Sequence, residues 1–232
     1  MASLDWAQCR ALTLFASLSD AALKETISRG QIVQFADRQV LFEENTHIGG
    51  MYIVLSGVVK MTRVTQEGRE IVIHLVRHGK FVGEGSVFLR GGTIALCGHA
   101  VGKVKALFLP SSAILHLLAA YPEVAVQMLT SLSKRLRMFS HKIVSEGQYN
   151  AMQRVASYLL HRCRIQKNNE MVWLDTSREV LANLLGLARE TLSRQLGALA
   201  EAGAIRVQGR RVYIVDGDRL ACMAKSGCKR AD

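Results

Sequence analysis

Proline is scarce, with two residues in 232, and no apolar run is long enough to cross a membrane as a helix. The first ten residues, MASLDWAQCR, have neither a basic n-region nor an apolar h-region, so the expected compartment is the cytoplasm, with no membrane partner. Five cysteines, Cys9, Cys97, Cys163, Cys222 and Cys228, are odd in number and show no CxxC spacing, which suits reduced thiols better than a disulfide framework or a zinc module. Cys222 and Cys228, near the polar end AKSGCKRAD, are the one pair close enough to weigh as a redox couple or a weak metal clip. Acidic residues are also few, 19 against 30 Lys and Arg, and the formal charge of +11 divides into about +5 for residues 1–149 and +6 for the shorter remainder. That balance favours a polyanionic partner without separating nucleic acid from an anionic surface. With 49% hydrophobic residues, the chain can bury a full core in one or two domains.

Residues 177–201, SREVLANLLGLARETLSRQLGALAE, carry the clearest pattern. Val180, Leu181, Leu184 and Leu185 form one apolar face behind a candidate N-cap, Ser177, and Gly186 supplies a stop. A second stripe of Leu192, Leu196 and Leu199 leaves Arg189, Glu190, Ser193 and Arg194 on the outer face of a second helix. This is the spacing of a helix-turn-helix, whose second helix presents its first turns to base edges in the major groove. The competing reading, a helical hairpin with a solvated charged face, is opposed by the adjoining segment. Ala204–Val215, AIRVQGRRVYIV, alternates around Gln208-Gly209-Arg210-Arg211 and predicts a hairpin, or wing, with Arg206, Arg210 and Arg211 near its tip. Those arginines are the candidate phosphate contacts, and Ser177 and Arg178 at the start of the first helix are further candidate DNA-binding residues.

Upstream, a helical region over Leu4–Ser28 precedes Ile32–Leu109, where short alternating apolar runs are punctuated by glycines, the pattern of a sandwich, barrel or jelly roll. Thr65–Glu70 predicts a hairpin turn between VVKMTRV and IVIHLV. Pro110 closes this region, Ser111–Ala120 reads as a helix, and Pro122 fits the first position of a longer one. Leu129, Leu132, Leu136, Phe139 and Ile143 then fall at coiled-coil spacing, so the long helix is expected to pair with its copy in a two-fold homodimer. Packing against the β region alone is the alternative. A hinge is expected near Gly147, followed by an opening helix over Ala151–Arg164. The expected class is α+β: a β-roll (double-stranded β-helix or jelly roll) sensor domain at 1–120, a dimerisation helix at 121–148, and a winged helix-turn-helix at 149–232.

This order of parts resembles the Crp/Fnr family of bacterial transcription regulators over nearly the whole chain. The resemblance is carried by LFEENTHIGGMYIVLSGVVKM, by GKFVGEGSVFL, and most specifically by LANLLGLARETLSRQLGALAEAGAIRVQGRRVYIV. It implies a small-molecule effector pocket between roll and dimer helix, binding to double-stranded DNA as a dimer, and contact with RNA polymerase. Arg189, Glu190, Thr191 and Arg194 match the recognition helix of the cyclic AMP receptor branch, and Glu190, Ser193 and Arg194 match the Fnr branch. Together they imply an inverted repeat with TTGTGA-like or TTGA-containing half-sites. The implied effector residues are Gly83, Glu84, Gly85, Ser86, Ile94, Ala95, Phe139 and Ser140. Ile94-Ala95 stands where the cyclic AMP branch has Arg-Ser and Phe139-Ser140 where it has Thr-Ser, so cyclic AMP is disfavoured: an apolar Ile94 cannot neutralise a phosphate. No closely spaced N-terminal cysteines are present to hold an iron-sulfur cluster. Haem is a candidate, with His141 as ligand and His74, His99 or Met61 as the second; a small apolar or anionic molecule is the other. Two further functions compete, a metal-dependent jelly-roll enzyme using His74, His78, Glu84 and His99, and a cyclic-nucleotide-sensing module without DNA output. The wing and the recognition helix favour a regulator over an enzyme.

Overall fold

A computed structural model describes residues 6–225. They form two compact units that divide between Leu136 and Arg137, inside one long helix. The first opens with α1 (Trp6–Arg10), a 3-10 turn at Thr13–Phe15 and α2 (Asp20–Ser28), which the Ser19 hydroxyl caps by accepting from the Ala22 N–H. There follow β1 (Gln31–Phe35), β2 (Val40–Phe42), β3 (Gly50–Val64), β4 (Glu70–Arg77), β5 (Phe81–Val82), α3 (Gly85–Phe88), β6 (Cys97–Pro110), α4 (Ser111–Ala120) and the start of α5 (Pro122–Gln148). The strands make one antiparallel sheet in the order β1-β6-β3-β4, with β2 added on β6 and β5 on β3.

The two long strands roll this sheet because their register slips around Gly57. Before it, Tyr52 and Val54 face the roll interior while Met51, Ile53 and Leu55 pack against the helices; beyond it, Val59 and Met61 face the interior. The shift between Val54 and Ser56 gives β3 one extra residue and the shift between Ser56 and Val58 gives β6 two, and across them the inward face of β3 changes parity, as at a β-bulge. Gly57 sits at φ +84°, and a Cβ there would lie 2.4 Å from the Lys103 carbonyl oxygen. Left-handed backbone for a non-glycine and a forced clash together predict that Gly57→Ala lowers stability by about 2–5 kcal/mol, read as a lower denaturation midpoint.

Two apolar clusters result. One joins Phe15, Leu23, Met51, Ile53, Leu107, Leu109, Ile114, Val124 and Met128 between sheet and helices; the other fills the roll with Phe35, Leu41, Phe42, Val54, Val59, Met61, Val76, Ile94 and Ala106.

The second unit holds the rest of α5, then α6 (Ala151–Gln166), β7 (Met171–Trp173), α7 (Arg178–Leu184), α8 (Arg189–Glu201), β8 (Ile205–Gln208), β9 (Arg211–Ile214) and α9 (Gly217–Met223). A reciprocal cap starts α6: the Asn150 side chain accepts from the Gln153 N–H at 3.0 Å, and the Gln153 side chain from the Asn150 N–H at 2.9 Å. The break after α5 therefore falls at Tyr149-Asn150, and Gly147, near which the sequence predicts a hinge, is inside the helix. The sheet runs β7-β9-β8; the sequence pattern predicts only the last two of these strands. Val155, Leu159, Leu181, Leu192, Leu196, Leu199, Ile205, Val212 and Leu220 make the core.

A β-roll unit followed by a winged helix-turn-helix is thus the fold, as the sequence predicts. Among the described residues no single helix is long and apolar enough to cross a membrane. Cys9, Cys97 and Cys163 are not disulfide-bonded. Cys222 is disulfide-bonded, where the sequence favours reduced thiols but leaves a redox couple open for this residue; Cys228 lies outside the described residues.

Candidate nucleic-acid interface

The Ser177 hydroxyl accepts from the Val180 N–H at 3.2 Å and starts α7, with Arg178 half-buried as its first residue. Gly186, at φ +64°, turns the chain, and the Leu187 N–H closes the turn on the Ala182 carbonyl at 2.9 Å. Glycine is required there because that backbone region is costly for a side chain. Helix α8 then buries Leu192, Leu196 and Leu199, which turns Arg189, Glu190 and Arg194 out to solvent with Thr191 and Ser193 half-buried beside them. Residues 189, 190, 193, 194 and 197 share one face by helical spacing, and Gly197 ends it with open space where a Cβ would be. The Thr191 hydroxyl accepts from Arg194 Nη2 at 3.3 Å.

In the wing, Gln208 pairs with Arg211 and Arg206 with Tyr213, leaving Gly209-Arg210 as a two-residue tip. Arg210 is exposed at that tip. Arg211 lies 6.0 Å from the Trp173 ring centroid, and Arg206 lies 4.9 Å from that of Tyr213, so both rest on aromatic faces. Arg206 is therefore set back along the hairpin rather than near its tip.

One arginine that sequence spacing does not single out is tied into this region. Arg154, on the first turn of α6, donates from Nε to the Tyr149 carbonyl at 3.1 Å and from Nη1 to the Leu185 and Gly186 carbonyls at 3.1 and 3.3 Å.

The effector residues are gathered only in part. Gly83, Glu84, Gly85 and Ser86 follow β5, and the buried Ser86 hydroxyl accepts from the Ile48 N–H at 3.3 Å. Glu84 is ion-paired with Arg135 of α5. The same guanidinium donates to the Phe81 carbonyl at 2.8 Å and lies 5.3 Å from the Phe81 ring centroid. Ile94 is buried in the roll, whereas Ala95 is exposed. Ile94 offers no charge to a phosphate, and Glu84 is already paired with an arginine. Phe139 and Ser140 belong to the second unit. Inside the roll, Tyr52 packs on Phe108, Phe35 and Phe42 with ring centroids 5.0, 5.8 and 6.1 Å away, and burial pushes its phenol pKa up.

Along α5, Leu129, Leu136 and Ile143 are 63%, 67% and 72% exposed. Leu132 instead packs against the core of the first unit, and Phe139 is half-buried. With Val126, Ser133 and Ser140 also on the outside, the exposed stripe is Val126, Leu129, Ser133, Leu136, Ser140, Ile143, at spacings of three and four. Of the residues that the sequence sets at coiled-coil spacing, Leu129, Leu136 and Ile143 lie on this stripe, and Leu132 and Phe139 do not.

The four residues that a metal-dependent enzyme would use do not converge. His74 is buried opposite Met61 in the β3–β4 register. His78 Nδ1 is 2.8 Å from the Leu55 carbonyl. His99 lies 3.6 Å from Glu70, and burial holds its pKa below the ordinary value; Glu84 is paired with Arg135. Among the described residues no group of three or more His, Cys, Asp or Glu could hold a metal ion. Of the haem candidates, Met61 and His74 are neighbours in the roll, His99 is held apart at Glu70, and His141 is exposed on the part of α5 that belongs to the second unit.

Residues 153–223 match the Crp-like helix-turn-helix domain, and residues 32–121 match the cyclic nucleotide-binding domain. The chain is 29% identical over 216 residues to the CRP-like cAMP-activated global transcriptional regulator of Mycobacterium tuberculosis, covering 91% of this chain and 96% of that protein. It is 28% identical over 209 residues to the global nitrogen regulator of Synechococcus elongatus, covering 88% and 91%. The solved structure of FixK2 from Bradyrhizobium japonicum matches with a TM-score of 0.75 at 22% identity, covering 86% of this chain and 99% of that one, a likeness of fold.

Proposed function

This chain belongs to the Crp/Fnr family of bacterial transcription regulators, and from that premise we propose that it acts in the cytoplasm as a homodimer reading an inverted repeat in double-stranded DNA. The observation that carries the reading is the polar face of α8, where Arg189, Glu190 and Arg194 stand exposed over a buried leucine stripe. An arginine can hold guanine through two parallel hydrogen bonds and a glutamate can accept from cytosine, which suits TTGTGA-like or TTGA-containing half-sites. Thr191 and Ser193 flank these contacts. Ser177, Arg178, Arg210 and Arg211 supply phosphate contacts that hold the register.

The three parts divide in this reading at 1–120, 121–148 and 149–232. The exposed stripe of α5 pairs with its copy, and two readers related by a two-fold axis match the two halves of the repeat. RNA polymerase is the partner through which the bound dimer acts. The effector is a small apolar molecule, supported by the cluster of aromatic rings Phe35, Phe42, Tyr52 and Phe108. A ligand that changes the packing of the paired helices thereby biases the two readers.

The test is a mobility-shift titration at fixed salt with inverted-repeat DNA against a scrambled duplex. Equal affinity for both duplexes would sink the reading. Cyclic AMP at millimolar concentration is expected to leave the Tm unchanged, since a ligand at 100 times its Kd would add about 2.7 kcal/mol of stability; a clear upward shift would restore the nucleotide as effector.

A further inference from the structure

Arg154 forms hydrogen bonds that no local rule of helix formation demands. It stands four residues into α6, where an arginine has no helix-dipole advantage, because cations favour the other end. Its guanidinium nevertheless spans two separate backbone segments. Nε donates to the Tyr149 carbonyl at 3.1 Å, and the Tyr149 N–H in turn donates to the Ser145 carbonyl of α5 at 3.0 Å. Nη1 donates to the Leu185 and Gly186 carbonyls at 3.1 and 3.3 Å, the residues that end α7 three positions before α8 begins at Arg189. All of these residues lie in the second unit.

The carbonyls involved are ones a helix leaves over. Leu185 is the C-cap of α7 and Gly186 the residue beyond it, so neither carbonyl is used by a turn of the helix, and a charged donor makes roughly twice as strong a bond to them as a neutral one. The planar guanidinium has donors fixed in a fork, which lets one side chain hold the linker and the turn at once; a lysine ammonium is a single point on a flexible stem. The linker itself is short. Between Gln148, the last residue of α5, and Ala151, the first of α6, only Tyr149 and Asn150 intervene.

We propose that Arg154 is a positioning residue that ties the end of α5 to the α7–α8 turn, so that the spacing and angle of the two reading helices in the dimer are set through it. The side chain touches neither bases nor phosphates in this role. It couples the reader to the end of α5 within the second unit, and a shift there reaches α8 through these three carbonyls. The inference rests on the paired-repeat reading for its effect on DNA, but the tether itself is a property of the DNA-free protein.

The test compares the full-length wild type with Arg154→Ala and Arg154→Lys on inverted repeats whose half-site centres are moved apart by one and two base pairs. The wild type should lose about 10²-fold or more in affinity at the wrong spacing, because both readers can no longer engage together. Arg154→Ala should flatten that preference while keeping its discrimination between matched and mismatched half-sites, and its salt slope should stay that of the wild type. A phosphate contact would instead lower the slope by about one. Arg154→Lys keeps the charge but not the fork, so it should resemble Arg154→Ala; it also serves if the alanine variant does not fold. A sharp wild-type spacing preference in both variants, or a reduced slope with the preference intact, overturns the proposal.

Hydrogen exchange separates the tether from the repeat. Without DNA, Arg154→Lys should exchange faster than the wild type at Gly186 and Leu187 and also at Tyr149 and Asn150. Should the wild type show no spacing preference at all, the paired-repeat reading fails and this measurement decides: faster exchange at both segments upholds the tether, and unchanged exchange at either rejects it.

Discussion

Leu136→Asp is expected to lower the affinity for an inverted repeat by about 10²–10⁴, the gain that linking two binding modules provides, while leaving each protomer folded. Leu136 is 67% exposed, so its replacement removes little from either core. In a paired helix the same position faces its copy, and two aspartates there would set like charges against each other in the seam. Leu129→Asp should act in the same way. Leu132→Asp should not: Leu132 packs against the first unit's core, and a carboxylate placed there should lower the melting temperature before it changes DNA binding. Sedimentation of each variant alongside a mobility shift distinguishes the two. A Leu136→Asp protein that stays dimeric and binds at wild-type affinity would remove α5 from the interface.

The contrast between Leu132 and Leu136 also marks the limit of what spacing can reveal. A repeat of three and four residues identifies a helix with an apolar seam, but α5 carries two adjacent apolar stripes, one toward the core between sheet and helices and one outward. Leu132 fits either by spacing; only that core decides between them. The helix-turn-helix was legible because every cue is local: the Ser177 cap, the Gly186 stop and the Leu192, Leu196, Leu199 stripe lie within 25 residues. Strand β7 was not, since three residues are too few to show alternation. It is held by pairing with β9, some forty residues on, and by a side chain seven positions back: Gln166 donates to the Trp173 carbonyl at 2.8 Å and accepts from its N–H at 2.9 Å. The pairing of Glu84 with Arg135 joins residues 51 apart, and the aromatic lining of the roll draws one ring each from β1, β2, β3 and β6. Neither has a motif, because contacts between distant segments leave no period in the chain.

Arg194→Ala and Arg210→Ala should fail in different ways, and the difference assigns their roles. Arg194 lies one turn into α8, exposed, with its guanidinium steadied by the Thr191 hydroxyl. If it holds a guanine, its loss should cost about 1–3 kcal/mol on the cognate half-site and relax preference at one base pair. A symmetric repeat contains that contact twice, so the measured loss should approach double this when both half-sites carry the cognate base. Thr191→Val should produce a smaller change of the same kind, through the orientation of Arg194 alone. Arg210, at the wing tip with no base edge assigned to it, should instead weaken matched and mismatched sites about equally and reduce the slope of log affinity against log salt by about one per protomer. Titrations of both variants at several salt concentrations, on matched and singly mismatched repeats, resolve the two patterns. An Arg194→Ala protein with full site preference would move base recognition to Arg189 and Glu190, the remaining exposed charges on that face of α8.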